Sequence, residues 1–144
     1  MKRAFSVGIA LAYIAFIIAA IIIANRGEGH QWWAFIERVP YGDKVGHLGL
    51  IGTLSFLCNL AFPTSREKNL LRVITRVTFI LFILLSLEEL AQAFIPNRTC
   101  DFFDWLADVV GLALGQLAAH ILRGLFPAKL AVVTAVESGP HRNQ

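Results

Sequence analysis

Charge is scarce in this sequence: Asp, Glu, Lys and Arg make up 16% of its 144 residues, against 56% hydrophobic residues. A soluble domain of that length cannot bury so much apolar surface, and a disordered chain does not contain it, so both classes are excluded and the surplus must meet lipid. Cysteine is confined to Cys58, inside an apolar block, and Cys100, in a polar connection. Residues so placed form neither a disulfide framework nor a paired-cysteine metal motif. Missing too is a basic stripe interleaved with aromatics through a polar region, which excludes nucleic acid as a partner. The formal charge of +3 comes instead from short Lys/Arg clusters beside apolar blocks, and such clusters orient membrane proteins.

What is present is a set of apolar blocks long enough to cross a hydrocarbon layer ~30 Å thick. The first runs from Ala4 to Ala24 behind Lys2 and Arg3. It is read as an uncleaved helix, because it exceeds a signal peptide's usual core of ~7–15 residues and its end, Ile21-Ile22-Ile23-Ala24, lacks small residues at both cleavage positions. The second block spans about Val45 to Phe62 before Pro63, and the third about Val73 to Ile95 before Pro96. The fourth begins near Phe102 or Trp105 and reaches about Phe126. Proline is a fitting stop for both middle blocks. Gly111 and Gly115 carry the small-xxx-small spacing that lets helices approach closely. Between the first two blocks, Trp32, Trp33 and Tyr41 suit the headgroup level, where one end of each ring is apolar and the other wet.

The expected fold is therefore all-α: a polytopic four-transmembrane-helix bundle over residues 1–126, followed by a polar, mostly disordered cytoplasmic tail over 127–144. Alternating sides give nine basic residues on one face (Lys2, Arg3, Arg66, Lys68, Arg72, Arg76, Arg123, Lys129, Arg142) and four on the other (Arg26, Arg38, Lys44, Arg98). The positive-inside bias places both termini in the cytoplasm and predicts a multi-pass protein of the inner (plasma) membrane.

The acidic residues are distributed still more unevenly, for only Glu67 and Glu137 fall on the cytoplasmic side. Asp43, Glu88, Glu89, Asp101, Asp104 and Asp108 lie in or beside apolar blocks, where a carboxylate is costly unless paired or wetted. Asp43 and His47 are four residues apart at the outer start of the second helix, beside Lys44. Glu88 and Glu89 stand four and three residues before Gln92, so both can flank one amide. Asp101, Asp104 and Asp108 repeat a three-then-four rhythm at the start of the fourth helix. Arg98 and Lys44 are the cations near this level. Together these ten residues predict a polar cluster shared by three helices near the outer face.

Such groups can simply tie helices together, or can cap a helix start at Asp101 and Asp104. His47 with carboxylates is chemically adequate for a divalent cation, but no ligand pair such as HExxH accompanies it, so neither metal nor cofactor is expected. Three functional classes stay open. One is a binding protein at the outer face. Another is an enzyme in which His47 and an acid from Glu89 or Asp104 exchange protons beside a phosphate steadied by Lys44 and Arg98. A proton-coupled transporter would also place carboxylates inside helices.

The order Asp43-Lys44-Val45-Gly46-His47, Glu89-Leu90-Ala91-Gln92, Pro96-Asn97-Arg98, then Asp101 and Asp104-Trp105-Leu106-Ala107-Asp108-Val109-Val110-Gly111 resembles the VanZ-like family of small integral membrane proteins. The likeness covers the second helix through the fourth. Glu88 departs from it by adding an acid where an apolar residue is usual, and Asp108 stands at a position often filled by asparagine. The resemblance implies a link to cell-envelope physiology or teicoplanin-type glycopeptide sensitivity. It nominates Asp43, Lys44, His47, Glu89, Gln92, Arg98, Asp101, Asp104 and Asp108 as a polar signature without giving any of them a catalytic step. The implied partners are membrane lipids and a lipid-linked or glycopeptide ligand at the outer face, with a homo-oligomer left open. A membrane-embedded hydrolase or transferase acting on a lipid-linked phosphate is the alternative.

Overall fold

The computed structural model describes residues 3–28, 39–62, 76–96, 98 and 100–125. The expected interfacial Trp32 and Trp33, the Pro63 to Arg72 connection and the tail beyond residue 126 lie outside the described residues. All secondary structure among the described residues is helical: α1 (Arg3–Asn25), α2 (Gly42–Ala61), α3 (Arg76–Gln92) and α4 (Phe102–Leu125). Two of them, α1 and α4, are long and apolar enough to cross a membrane. The described part of α3 has 17 residues, about 25 Å at helical rise. The 20 residues of α2 include Ser55, Asn59 and Thr53, polar groups that dilute its hydropathy while two of them turn inward.

Two helix boundaries matter for the site. α2 starts at Gly42, three residues before the apolar block, so Asp43 and Lys44 belong to its first turn, as their placement at the outer start of the second helix anticipates. Tyr41, just before this helix, has a left-handed backbone with φ 61°, a conformation that costs a non-glycine residue ~1–2 kcal/mol. α3 ends at Gln92, and the chain then turns through Ala93 to Pro96, with the Ala93, Phe94 and Ile95 amides donating to the carbonyls of Leu90, Ala91 and Gln92. That turn brings Arg98 and Asp101 back over the end of α3.

The central pair is α2 and α4, which share the largest interface, while α1 packs on α2 and α3 on both members of the pair. Glycine sets the α2–α4 distance. A Cβ on Gly111 would come within 2.8 Å of the Leu48 carbonyl oxygen, and one on Gly115 within 2.8 Å of Ser55 Cβ and 2.9 Å of the Phe56 amide. Both lie opposite Gly52, so backbone meets backbone there, as the glycine spacing predicts. Tyr13 on α1 is tied to α2 by its hydroxyl, which donates to the Leu50 carbonyl at 3.2 Å.

Burial is partly inverted relative to a soluble protein. Nine apolar residues are buried among the described residues, alongside seven polar or charged ones: Ser55, Asn59, Thr78, Glu89, Gln92, Asp108 and Gln116. Meanwhile Phe5, Ile18, Phe79, Leu84, Leu87, Leu90, Phe94, Phe103 and Leu125 are exposed. In water this arrangement would expose apolar surface and desolvate polar groups at once. In a bilayer the same arrangement satisfies both, since outward Leu and Phe meet hydrocarbon and inward polar groups find partners on neighbouring helices.

Candidate functional site

The first turns of α2 and α4 and the last turn of α3 meet at one end of the bundle. Their contents explain why they converge. Asp101 ends the connection from α3 and caps α4: its Oδ1 accepts the Phe103 amide at 2.8 Å, the bond expected of an N-cap carboxylate. Its other oxygen, Oδ2, accepts from Lys44 Nζ at 2.9 Å, and the same ammonium donates to Asp104 Oδ1 at 2.9 Å and Asp43 Oδ2 at 2.8 Å. Lys44 thus fills all three donor positions of its head with carboxylates from α2, the α4 cap and α4. Among these groups Asp104 is the most sheltered, with a side chain 16% exposed, against 35% for Asp101 and 53% for Asp43. The bond to the ammonium holds the Asp101 carboxyl below its ordinary range, helped further by the Phe103 amide.

One oxygen from each of Asp43, Asp101 and Asp104 lies within 4.8 Å of the others. That is a geometry a divalent cation could use, but the Lys44 ammonium stands at the point the three share. A metal there would have to displace it, so the donor set fits an internal cation better than a bound one.

A turn deeper, His47 Nδ1 and Asp108 Oδ1 are 3.0 Å apart. Asp108 is 4% exposed. With Asp108 as acceptor, Nδ1 carries the proton and Nε2 is left as an acceptor without a partner among the described residues. The sequence pointed to Glu89 or Asp104 as the acid beside His47, but the direct partner is Asp108. Four-residue spacing on α4 places Asp104 on the Lys44 side and Asp108 on the His47 side. Asp43, four residues before His47, turns to Lys44 instead.

Glu89 closes the cluster from α3. Its carboxylate is buried, accepting the Asp101 amide on Oε1 at 2.8 Å and the Gln92 amide on Oε2 at 3.2 Å. Gln92 also donates to Glu88 Oε2 at 2.9 Å, while its carbonyl accepts from Arg98 Nε at 3.2 Å. Arg98 forms no ion pair among the described residues. Hydrogen bonds and ion pairs thus join eight of the ten sequence-nominated positions into one network, with Lys44, Glu89 and Gln92 as its junctions, and the His47–Asp108 pair forms a separate unit a turn deeper.

The expected anion contacts change as a result. Lys44 is committed to three carboxylates, which leaves Arg98 as the cation with donors to spare. Asp43, Glu88, Glu89, Asp101, Asp104 and Asp108 carry six formal negative charges against the two of Lys44 and Arg98.

Sequence reasoning missed a second polar group nearer the other end of the three-helix interface. Ser55 Oγ donates to the Leu112 carbonyl at 2.8 Å, and Asn59 Nδ2 donates to the Ser55 carbonyl at 2.9 Å and to Thr78 Oγ1 at 2.9 Å. It also missed Trp105, whose indole donates to Ser86 Oγ at 3.0 Å and so joins α4 to α3. The Ser55/Asn59 spacing of four residues inside an apolar block was the available signal, but uncharged residues carry a smaller desolvation cost and drew less notice.

A family model described as VanZ/LLP1 matches residues 9–123. That range takes in every residue of both polar groups. No curated protein and no solved structure matches the chain.

Proposed function

The chain belongs to the VanZ/LLP1 family, and from that membership we propose a multi-pass inner-membrane protein that binds an envelope lipid or glycopeptide ligand at a polar site on its outer face. In this reading residues 1–126 form the membrane domain, all four helices span, and both termini and the tail are cytoplasmic. The positive-inside count and the outward apolar side chains support that topology. The observation that carries the function is the convergence of Lys44, His47, Glu89, Asp108 and Arg98, from three helices and one connection, at one end of the bundle. A purely structural tie needs fewer ionisable groups than this, and membrane-embedded ionisable groups mark functional sites.

Envelope physiology or teicoplanin-type sensitivity is the phenotype this site controls. In cells expressing the chain, Arg98→Ala at unchanged protein abundance shifts the minimum inhibitory concentration of teicoplanin back toward that of cells without the protein, by at least four-fold if the effect is direct. Glu89→Gln does the same. Unaltered sensitivity with both variants present at normal levels would sink this assignment.

The His47–Asp108 pair specifically favours a second reading, a membrane-embedded hydrolase or transferase acting on a lipid-linked phosphate. A histidine oriented through Nδ1 presents Nε2 as a general base toward water or a hydroxyl, and Arg98 is the cation available to a phosphate. Purified protein given a polyprenyl-phosphate-linked probe would release product, and Asp108→Asn would slow release by roughly 10²–10⁴-fold, the usual range for general acid–base groups. No release by the unaltered protein rules this reading out while leaving the binding role intact.

A further inference from the structure

Beside the polar cluster, between α3 and the start of α4, lies an open recess of about 490 Å³ lined by Ser86, Glu89, Leu90, Cys100, Phe102 and Trp105. Its size falls within the ~300–1,000 Å³ range of small-molecule sites. The lining combines apolar and polar residues. Leu90 and Phe102, 61% and 64% exposed, belong to the outward apolar surface, which continues through Leu87 and Phe94. The recess also meets the buried Glu89 side chain and Cys100, the residue before Asp101 of the Lys44 cluster. Trp105 is held in the wall by its bond to Ser86.

We propose that this recess seats one hydrocarbon chain of a zwitterionic phospholipid with a primary-amine head, whose N–H groups donate to the acidic cluster as a quaternary ammonium cannot, and whose phosphate turns to Arg98. The proposal rests on the membrane reading given above and narrows its ligand. Three observations carry it. The recess opens onto the apolar surface, so a chain enters from the bilayer without crossing water. Its lining includes the Glu89 carboxylate, so a ligand with a polar head gains where a plain hydrocarbon does not. Finally, six carboxylates face two cations, and one of those cations is already saturated. That surplus attracts an amine and repels a head carrying only negative charge.

The chain has three tryptophans, Trp32, Trp33 and Trp105, so Trp32→Phe/Trp33→Phe leaves Trp105 as a reporter inside the recess. The protein is reconstituted in phosphatidylcholine vesicles containing increasing fractions of phosphatidylethanolamine or phosphatidylglycerol brominated on one acyl chain. The expected result is Trp105 quenching that saturates at a several-fold lower mole fraction of the brominated amine lipid than of the glycerol lipid. Cys100→Phe, a change at an exposed position that fills the recess, turns this saturable curve into one proportional to the bulk lipid fraction; Ser86→Phe does so from the α3 side. Quenching proportional to bulk fraction and equal for both lipids in the unfilled protein overturns the recess, while the membrane reading stands. Preferential saturation by phosphatidylglycerol overturns the amine assignment. Absence of quenching by either lipid overturns the recess and the membrane reading together.

Discussion

Gly115→Val prevents the bundle from forming. A β-branched side chain at this position drives its Cβ into the Gly52 carbonyl, Ser55 Cβ and the Phe56 amide, and two of those three obstacles are backbone that no rotamer change can move. Overpacking in a well-packed core typically costs ~1–3 kcal/mol. Here relief requires separating α2 from α4, and separation also breaks the Ser55–Leu112 bond and pulls Lys44 from Asp101 and Asp104. The expected loss is therefore at the top of that range or above it, enough to abolish accumulation of a marginally stable protein. Gly111→Val should be nearly as severe, since its Cβ meets the Leu48 carbonyl oxygen. Gly8→Val and Gly124→Val, where no atom lies within 4 Å of an added Cβ, should leave abundance and detergent melting temperature unchanged. Equal effects at Gly115 and Gly124 would mean that the α2–α4 contact does not organise the fold.

The contrast between those glycines marks how far the sequence could be read. Gly111 and Gly115 are legible because their spacing is a pattern on one helix, and the helices themselves because apolar block length is a local property. The cluster was legible for a related reason: a carboxylate in an apolar block needs a partner, and only neighbouring helices at the same level can supply one. Which partner it finds is not local. His47 joins Asp108 rather than Glu89 or Asp104 because of the rotation of α4 about its axis, which is fixed by Gly52 meeting Gly111 and Gly115 across the interface. Lys44 was legible as a cation near the site but not as one saturated by three carboxylates, since the Asp101 cap reaches it only after the turn at Ala93 to Pro96 has folded back. Ser55, Asn59 and Thr78 were harder still, because an uncharged polar residue in a span gives no sign of whether it faces a neighbour, water or lipid. The recess combines residues from α3, the connection and α4, and no spacing rule on one segment describes it.

Replacing Lys44 with Met inverts the dependence of stability on pH. In the unaltered protein the ammonium holds the Asp101 carboxyl below its unfolded value of about 3.9. A group whose pKa is lowered by folding contributes stability that is fully present above the unfolded pKa and is lost as pH falls through the folded one. The unaltered protein should accordingly show no loss from this site between about pH 7 and pH 5, and should weaken only below about pH 4. Lys44→Met keeps much of the side chain's length and removes the charge, which leaves Asp43, Asp101 and Asp104 facing one another within 4.8 Å without a counter-ion. Like charges so placed cannot all stay ionised, and at least one carboxyl takes up a proton at a raised pKa. A raised carboxyl pKa reverses the linkage: the folded state then binds more protons than the unfolded one, so stability rises as pH falls from about 7 toward 5. The variant should be the least stable of the set at pH 7.5 and recover on acidification, whereas the unaltered protein gains nothing from the Lys44 carboxylates across that interval. Lys44→Arg, which retains the charge, should keep the profile of the unaltered protein even if its bulkier head lowers overall stability. Melting temperatures in detergent at half-unit pH steps distinguish these outcomes. A Lys44→Met profile parallel to that of the unaltered protein would show that the three carboxylates do not share one cation, and the cluster would then lose its organising charge.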